Sequence, residues 1–149
     1  MVSEVRGWTI RRHSTPHEFF LQATPISLHA STRSKDRWKA TIKAVARERI
    51  GQTDELGFLD RRPLALTIYY FSAAAMIGDV DNIVKPIMDA LIAVAYLDDR
   101  DLDRVLVQKF EPTVDWHFVV PSDQLAAALD TAPPVVYVRV DDDLSWRRL

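Results

Sequence analysis

Between residues 38 and 50 the apolar positions Trp38, Ile42, Val45, Ala46 and Ile50 recur at helical spacing. The segment KDRWKATIKAVARERI therefore predicts an amphipathic helix with a basic outer face, capped by Ser34 and stopped by Gly51. Upstream, residues 1 to 17 have no clear period, and FFLQATPISLHA (Phe19 to Ala30) reads as extended, with Pro25 breaking it or placing it at a sheet edge. LALTIYYF, rich in β-branched and aromatic residues, predicts a strand in the middle of a sheet. A helix is expected over Ile83 to Ala95, with Pro86 tolerated in its first turn. LDDRDLDR reads as a turn, VLVQKF as a short strand, and DQLAAALD as a short helix capped by Ser122 and ended by Pro133-Pro134. VVYVRV is a last strand and DDDLSWRRL a tail. The order β-α-β-α-β-α-β, with neither repeat nor linker, predicts an α/β or α+β fold. One compact domain covers residues 1–149, its helices packed on a mixed β-sheet, with the tail 141–149 either flexible or touching a second subunit.

Composition narrows the class. A chain of 149 residues that is 48% hydrophobic and 27% charged can bury a real core. Without cysteine it has no disulfide framework and no thiolate metal site. The opening MVSEVRGW lacks the apolar stretch of a signal peptide, and no apolar run is long enough to span a bilayer, so a cytoplasmic location without membrane contact is expected. The net charge of -2 gives no global signature of nucleic-acid binding, but it hides a separation. Seven basic residues (Arg33, Lys35, Arg37, Lys39, Lys43, Arg47, Arg49) face only two acidic ones (Asp36, Glu48) in the predicted basic helix. Acidic residues gather instead at Asp98 to Asp103 and Asp141 to Asp143. Salt screens exposed charges beyond about 8–10 Å, so the local balance is what a partner feels.

The chemistry concentrates in GDVDNIVKPIMD, residues 78 to 89. Asp79 and Asp81 flank Val80, and in an extended segment such positions share a side. Two carboxylates side by side repel each other unless a cation joins them. Hard oxygen donors with few protein contacts suit Mg²⁺, with Mn²⁺ as the alternative, because such ions keep positions for water and phosphate. Lys85 and Asp89 follow Asp81 at i+4 and i+8, one helical face, and a fixed lysine there can stabilise charge developing on a scissile phosphate. Asp98 and Asp99 follow the helix and can return to the same edge as further ligands. The plainer alternative is that Asp81 or Asn82 caps the helix and Lys85–Asp89 is an exposed pair worth under about 0.5 kcal/mol. A calcium loop starting at Asp99 fails, since its sixth and twelfth positions are Arg104 and Phe110.

The run D-V-D-N-I-V-K-P-I-M-D-A-L, followed by L-D-D-R, resembles the RusA family of Holliday-junction resolvases. The matching residues are Asp79, Asp81, Asn82, Lys85, Asp89-Ala90-Leu91 and Asp98-Asp99, within about Gly78 to Lys109. The resemblance implies a RusA-like fold and a homodimeric endonuclease that binds branched DNA and cuts phosphodiesters with Mg²⁺. It implies Asp79, Asp81 and Asp99 as metal ligands and catalytic residues, Asp98 as a further ligand, and Lys85 as the catalytic lysine. Where relatives can carry a basic run before the first aspartate, this chain has the neutral Ala73–Gly78, so DNA contact falls to Arg33, Lys35, Arg37, Lys39 and Lys43.

Other combinations are weaker. Pro16 interrupts the His13/His17 pair, His29 and His117 stand alone, and Ser27, Ser31 and Ser34 lack a His-Asp partner pattern, although a phosphate contact near the helix start is open to Ser31, Arg33 or Ser34. Trp8, Trp38 and Trp116 read as packing residues, and Trp146 as a residue of the tail that either pins it to a partner subunit or sits loosely. The sequence therefore favours a Mg²⁺-dependent junction endonuclease. A non-catalytic DNA-binding or interaction module of the same fold, or a metal phosphodiesterase for another substrate, is the alternative.

Overall fold

Alternation in LALTIYYF sends Leu64, Leu66, Ile68 and Tyr70 to one side of a strand and Tyr69 and Phe71 to the other, and the sheet is organised around this segment. The structure, a computed structural model, describes residues 15–52 and 58–143, together with the backbone of the short strands β1 (Ser3–Val5) and β2 (Trp8–Ile10). These two pair with each other. The remaining elements are β3 (His17–Leu21), α1 (Thr32–Gln52), β4 (Leu64–Phe71), α2 (Val84–Leu91), β5 (Leu102–Phe110), α3 (Asp123–Leu129) and β6 (Val135–Asp141), with 3₁₀ turns at Val80–Ile83 and Asp99–Asp101.

The main sheet has the order β3-β6-β4-β5, with β4 antiparallel to β6 and parallel to β5. It is mixed, the fold is α+β, and LALTIYYF is an interior strand as its composition predicts. On one face Phe19, Leu66, Ile68, Val136, Val138 and Val140 meet Trp38, Ile42 and Ala46 of α1 and Ile87, Ala90 and Leu91 of α2. Ile87 is fully buried in this layer, and truncating such a residue to alanine typically costs about 2–5 kcal/mol. On the other face Phe71, Phe110, Val135 and Tyr137 pack against Leu125 and Ala128 of the short α3. No helix among the described residues is long and apolar enough to cross a membrane.

Several boundaries differ from those the sequence predicts. Helix α1 starts earlier, because Ser31 rather than Ser34 is the cap: its Oγ accepts the Ser34 N–H at 3.2 Å and its carbonyl accepts the Lys35 N–H at 3.0 Å. The helix also continues through Gly51 to Gln52. The extended reading of residues 19 to 30 holds only as far as Leu21, the end of β3. Helix α2 stops at Leu91 instead of Ala95, because Ala93 adopts a positive φ of 64° and Tyr96 folds back to donate its hydroxyl to the Met88 carbonyl at 2.6 Å. The LDDRDLDR turn is shorter than expected, since β5 already begins at Leu102. Asp141 closes β6, and Asp142 pairs with Arg62 at 2.9 Å, so the acidic end is tied down; residues 144–149, with Trp146, lie outside the described residues, as do His13 and the side chain of Trp8. Ser122 caps α3 as predicted, accepting the Leu125 N–H at 3.2 Å.

Candidate metal and phosphodiester site

The parallel pairing of β4 with β5 requires a crossover, and residues 72 to 101 supply it. Asp79, Asp81, Asp89, Asp98 and Asp99, the acidic candidates for the site, and Lys85 all lie on this connection. At its start the exposed loop Ala73–Gly78 leaves β4; Gly78 has φ +90°, a conformation strained for any residue with a side chain, and turns the chain into Asp79. Asp79 is extended (φ −97°, ψ 144°) and heads the 3₁₀ turn, its carbonyl accepting the Asn82 N–H at 3.1 Å. Its carboxylate caps nothing. The Asn82 carbonyl accepts the Leu28 N–H at 2.7 Å, anchoring the turn to the loop before α1.

Asp79 and Asp81 are both exposed, and among the described residues neither carboxylate has a hydrogen-bond or ion-pair partner. The capping alternative for Asp81 and Asn82 is not realised: α2 is preceded by Ile83, with no side-chain cap. The exposed Lys85–Asp89 pair does form, at 2.9 Å, but within a larger arrangement. Lys85 Nζ also lies 2.7 Å from Asp99 Oδ2, and Lys39 Nζ of α1 lies 3.7 Å from the other oxygen of Asp89. The resulting chain, Lys39–Asp89–Lys85–Asp99, ties α1, α2 and the approach to β5 together. The hydrogen bonds from Asp99 and then Asp89 hold the Lys85 ammonium above its ordinary pKa, so it stays charged. Burial first, and then the nearby Asp99 and Asp89, push the Tyr96 phenol well above its usual value and keep it neutral.

Asp98 is placed differently. Its Oδ1 accepts the Arg100 N–H at 3.0 Å, and Arg100 Nε lies 3.3 Å from Oδ2. The backbone contact, more than the neighbouring side chains, holds this carboxyl below the usual carboxylate range. No hydrogen bond or ion pair joins Asp79 or Asp81 to the Lys85 group, and among the described residues no three acidic or histidine side chains converge closely enough to hold one ion. Only Asp79 is extended and Asp81 lies in the 3₁₀ turn, so the shared side expected of the pair in an extended segment is not what the backbone gives. The donor chemistry, two solvent-facing carboxylates with no protein cation to offset them, is nonetheless that of a site for a hard divalent cation.

The basic helix divides by function. Arg33, Lys35, Arg37 and Lys43 have no ion-pair partner among the described residues, whereas Lys39 turns toward Asp89 and Arg49 donates to the Glu18 carbonyl at 3.2 Å. Lys35, Lys39 and Lys43 are spaced i, i+4, i+8 along α1, and of the three Lys39 is the one paired with α2. The sequence reading overlooked the Lys39–Asp89 link and Tyr96. The four-residue lysine spacing beside the apolar stripe is the signal for the first, while Tyr96 is a lone aromatic with none.

An α+β domain that presents unneutralised carboxylates, a lysine fixed by two aspartates and a helix on which Arg33, Lys35, Arg37 and Lys43 have no ion-pair partner among the described residues has the equipment of a protein that works on a phosphodiester backbone. The profile of the family described as Endodeoxyribonuclease RusA matches residues 8–115, and the chain belongs to that family, one of DNA-cutting nucleases. The match covers the whole crossover, with Asp79, Asp81, Lys85, Asp89, Asp98 and Asp99. A search of curated proteins finds no match.

Proposed function

We propose that the chain is a Mg²⁺-dependent endonuclease that resolves four-way DNA junctions by phosphodiester hydrolysis. The observation that carries the reading is the exposed, unpartnered Asp79/Asp81 pair on the same crossover as a lysine held in place by Asp99. Asp79, Asp81 and Asp99, with Asp98 as a further ligand, are the residues that would hold Mg²⁺ or Mn²⁺, once side chains that do not converge on one point without the ion turn together and Asp99 exchanges Lys85 for it. A bound cation supplies Lewis acidity at the phosphate and an acidified water. The chain's own residues do the rest. Lys85 keeps its proton and offers a fixed positive charge to the departing oxygen. Asp89 and Asp99 orient it. Arg33, Lys35, Arg37, Lys39 and Lys43 neutralise backbone phosphates and bring the strand to the site. Branched DNA is the partner, and a homodimer would present two such sites to the two strands of a junction.

Labelled four-way junctions, linear duplex and single strands, each incubated with and without Mg²⁺, test this. Cutting of the junction alone, dependent on the metal and abolished in Asp81→Asn with binding retained, is the expected result. Tight junction binding without cutting under any divalent metal would instead establish a non-cleaving module, the reading favoured if Lys85 keeps Asp99 Oδ2 occupied. No binding even at low salt would remove both.

A further inference from the structure

The end of β4 separates two hollows that share Ala73. The first has a volume of about 280 Å³ and is lined by Asp79, Asn82 and Ser27, so it belongs to the site already described. The second, about 460 Å³, lies on the α3 face and falls in the size range of small-molecule sites. Its walls are Phe71, Phe110, Trp116 and Leu129, with Glu111 at its edge. Phe71 and Phe110 stack at 4.9 Å between ring centres, and Trp116 stands over both at 5.4 and 5.6 Å. Trp116 remains 41% exposed, although the sequence marks it as a packing residue.

One wall is out of character. Ser72, the first residue after β4, is 3% exposed and lines this hollow, yet its hydroxyl has no hydrogen-bond partner. A buried hydroxyl left unpaired costs roughly 1–3 kcal/mol, so such groups are seldom kept without a partner. An apolar ligand would leave that cost in place. A flat ring carrying hydrogen-bonding edges would remove it while stacking on the aromatic walls. Glu111 is the only charged residue on the lining, and Lys109 Nζ lies 2.6 Å from its carboxylate, so the hollow offers no free cation to a phosphate and suits a neutral ring.

We infer that this hollow receives one unstacked nucleobase from a DNA strand whose backbone lies at Asp79. The inference rests on the nuclease reading, because the loop Ala73–Gly78 joins the hollow directly to the acidic pair. The base stacks on Trp116, and the Ser72 hydroxyl, closed off in the unliganded chain, turns outward to hydrogen-bond its edge. The site thus selects DNA in which a base is free to leave the helix, as at a branch point or in a single strand, over a fully stacked duplex.

The full chain carrying Asp81→Asn, bound to four-way junctions and to single strands with 5-bromodeoxyuridine placed in turn at each position near the branch, would be irradiated and the adduct mapped. Adducts concentrated on Trp116 from one or two adjacent positions are expected. Trp116→Ala should weaken binding about tenfold. Ser72→Ala should weaken it severalfold while leaving the melting temperature unchanged or higher, which a purely structural serine would not do. Junction binding and cutting that survive in both variants, with adducts elsewhere, would overturn the base site and leave the nuclease reading intact. Adducts on Trp116 from single strands alone would keep the base site and count against junction selectivity. No adduct with any DNA would overturn it.

Discussion

Lys85 Nζ lies 2.7 Å from Asp99 Oδ2 although fourteen positions of chain separate the two residues. The contact closes the connection between β4 and β5 on itself, and Asp89 holds the same ammonium from the other side at 2.9 Å. A lysine braced in this way is fixed in position and keeps its proton. Replacing it with methionine should lower single-turnover junction cleavage about 10²–10³-fold, the usual loss for one preorganised electrostatic group. Lys85 is 48% exposed, so the same change should move stability by less than about 1 kcal/mol in a denaturant titration. A large loss of stability with parallel loss of activity would make the lysine a structural strut.

The carboxylates of Asp79 and Asp81 make no hydrogen bond or ion pair among the described residues, so Asp79→Asn and Asp81→Asn should leave the metal-free melting temperature unchanged or slightly raised. Saturating Mg²⁺ should raise the melting temperature of the parent chain, since an ion held only by the folded form stabilises it by mass action. That rise should vanish in either variant. Calorimetric scans with and without the ion give the answer, and equal shifts in all three chains would rule out these carboxylates as ligands.

The cations of α1 make a graded prediction. Arg33→Ala, Arg37→Ala and Lys43→Ala should each weaken binding to junction and duplex alike and reduce the slope of log affinity against log salt by about 0.9. Fluorescence anisotropy at several salt concentrations measures this. An unchanged slope would show an ordinary solvated helix face.

Acid stability should depend on His17. The ring is 3% exposed, neither nitrogen makes a hydrogen bond of good geometry, and burial lowers its pKa from 6.5 to about 4 against the opposing pull of the nearby Ala46 backbone, with Arg49 adding to the lowering. The folded chain thus binds this proton less readily than the unfolded chain, so the neutral ring's advantage is present above pH 6.5 and is lost as pH falls toward 4. The loss attributable to this residue should reach at most about 3 kcal/mol. Urea titrations at pH 7 and pH 4.5 should show that His17→Leu removes most of the difference; an equal acid loss in both chains would exonerate the histidine.

The parts of the fold that were legible in the sequence are those whose burial is periodic. LALTIYYF, VVYVRV and the apolar stripe of α1 each write their environment into a simple repeat, and each lies where its repeat places it. The end of α2 was not legible, because it depends on Tyr96 reaching back to the Met88 carbonyl, a contact that no local pattern encodes. The start of α1 was misplaced because three serines near it offer similar oxygens, and only geometry selects Ser31. Among the candidate site residues, spacing correctly placed Lys85 with Asp89, while the approach of Lys39 and Asp99 to that pair required the packing of α1 on α2 and the turn before β5. The hollow beside Trp116 was invisible for the same reason, since its walls come from β4, β5, α3 and the loops between them.

The route from β4 to β5 has one more consequence, for how the site is coupled to the sheet. The two strands run side by side in the same direction, so their pairing closes the whole intervening stretch into one loop. That stretch carries every acidic residue proposed for the reaction. Pairing the two strands therefore fixes both ends of the stretch that carries the proposed chemistry, and a change that loosens β5 at the sheet edge reaches the proposed site through the backbone as well as through side chains.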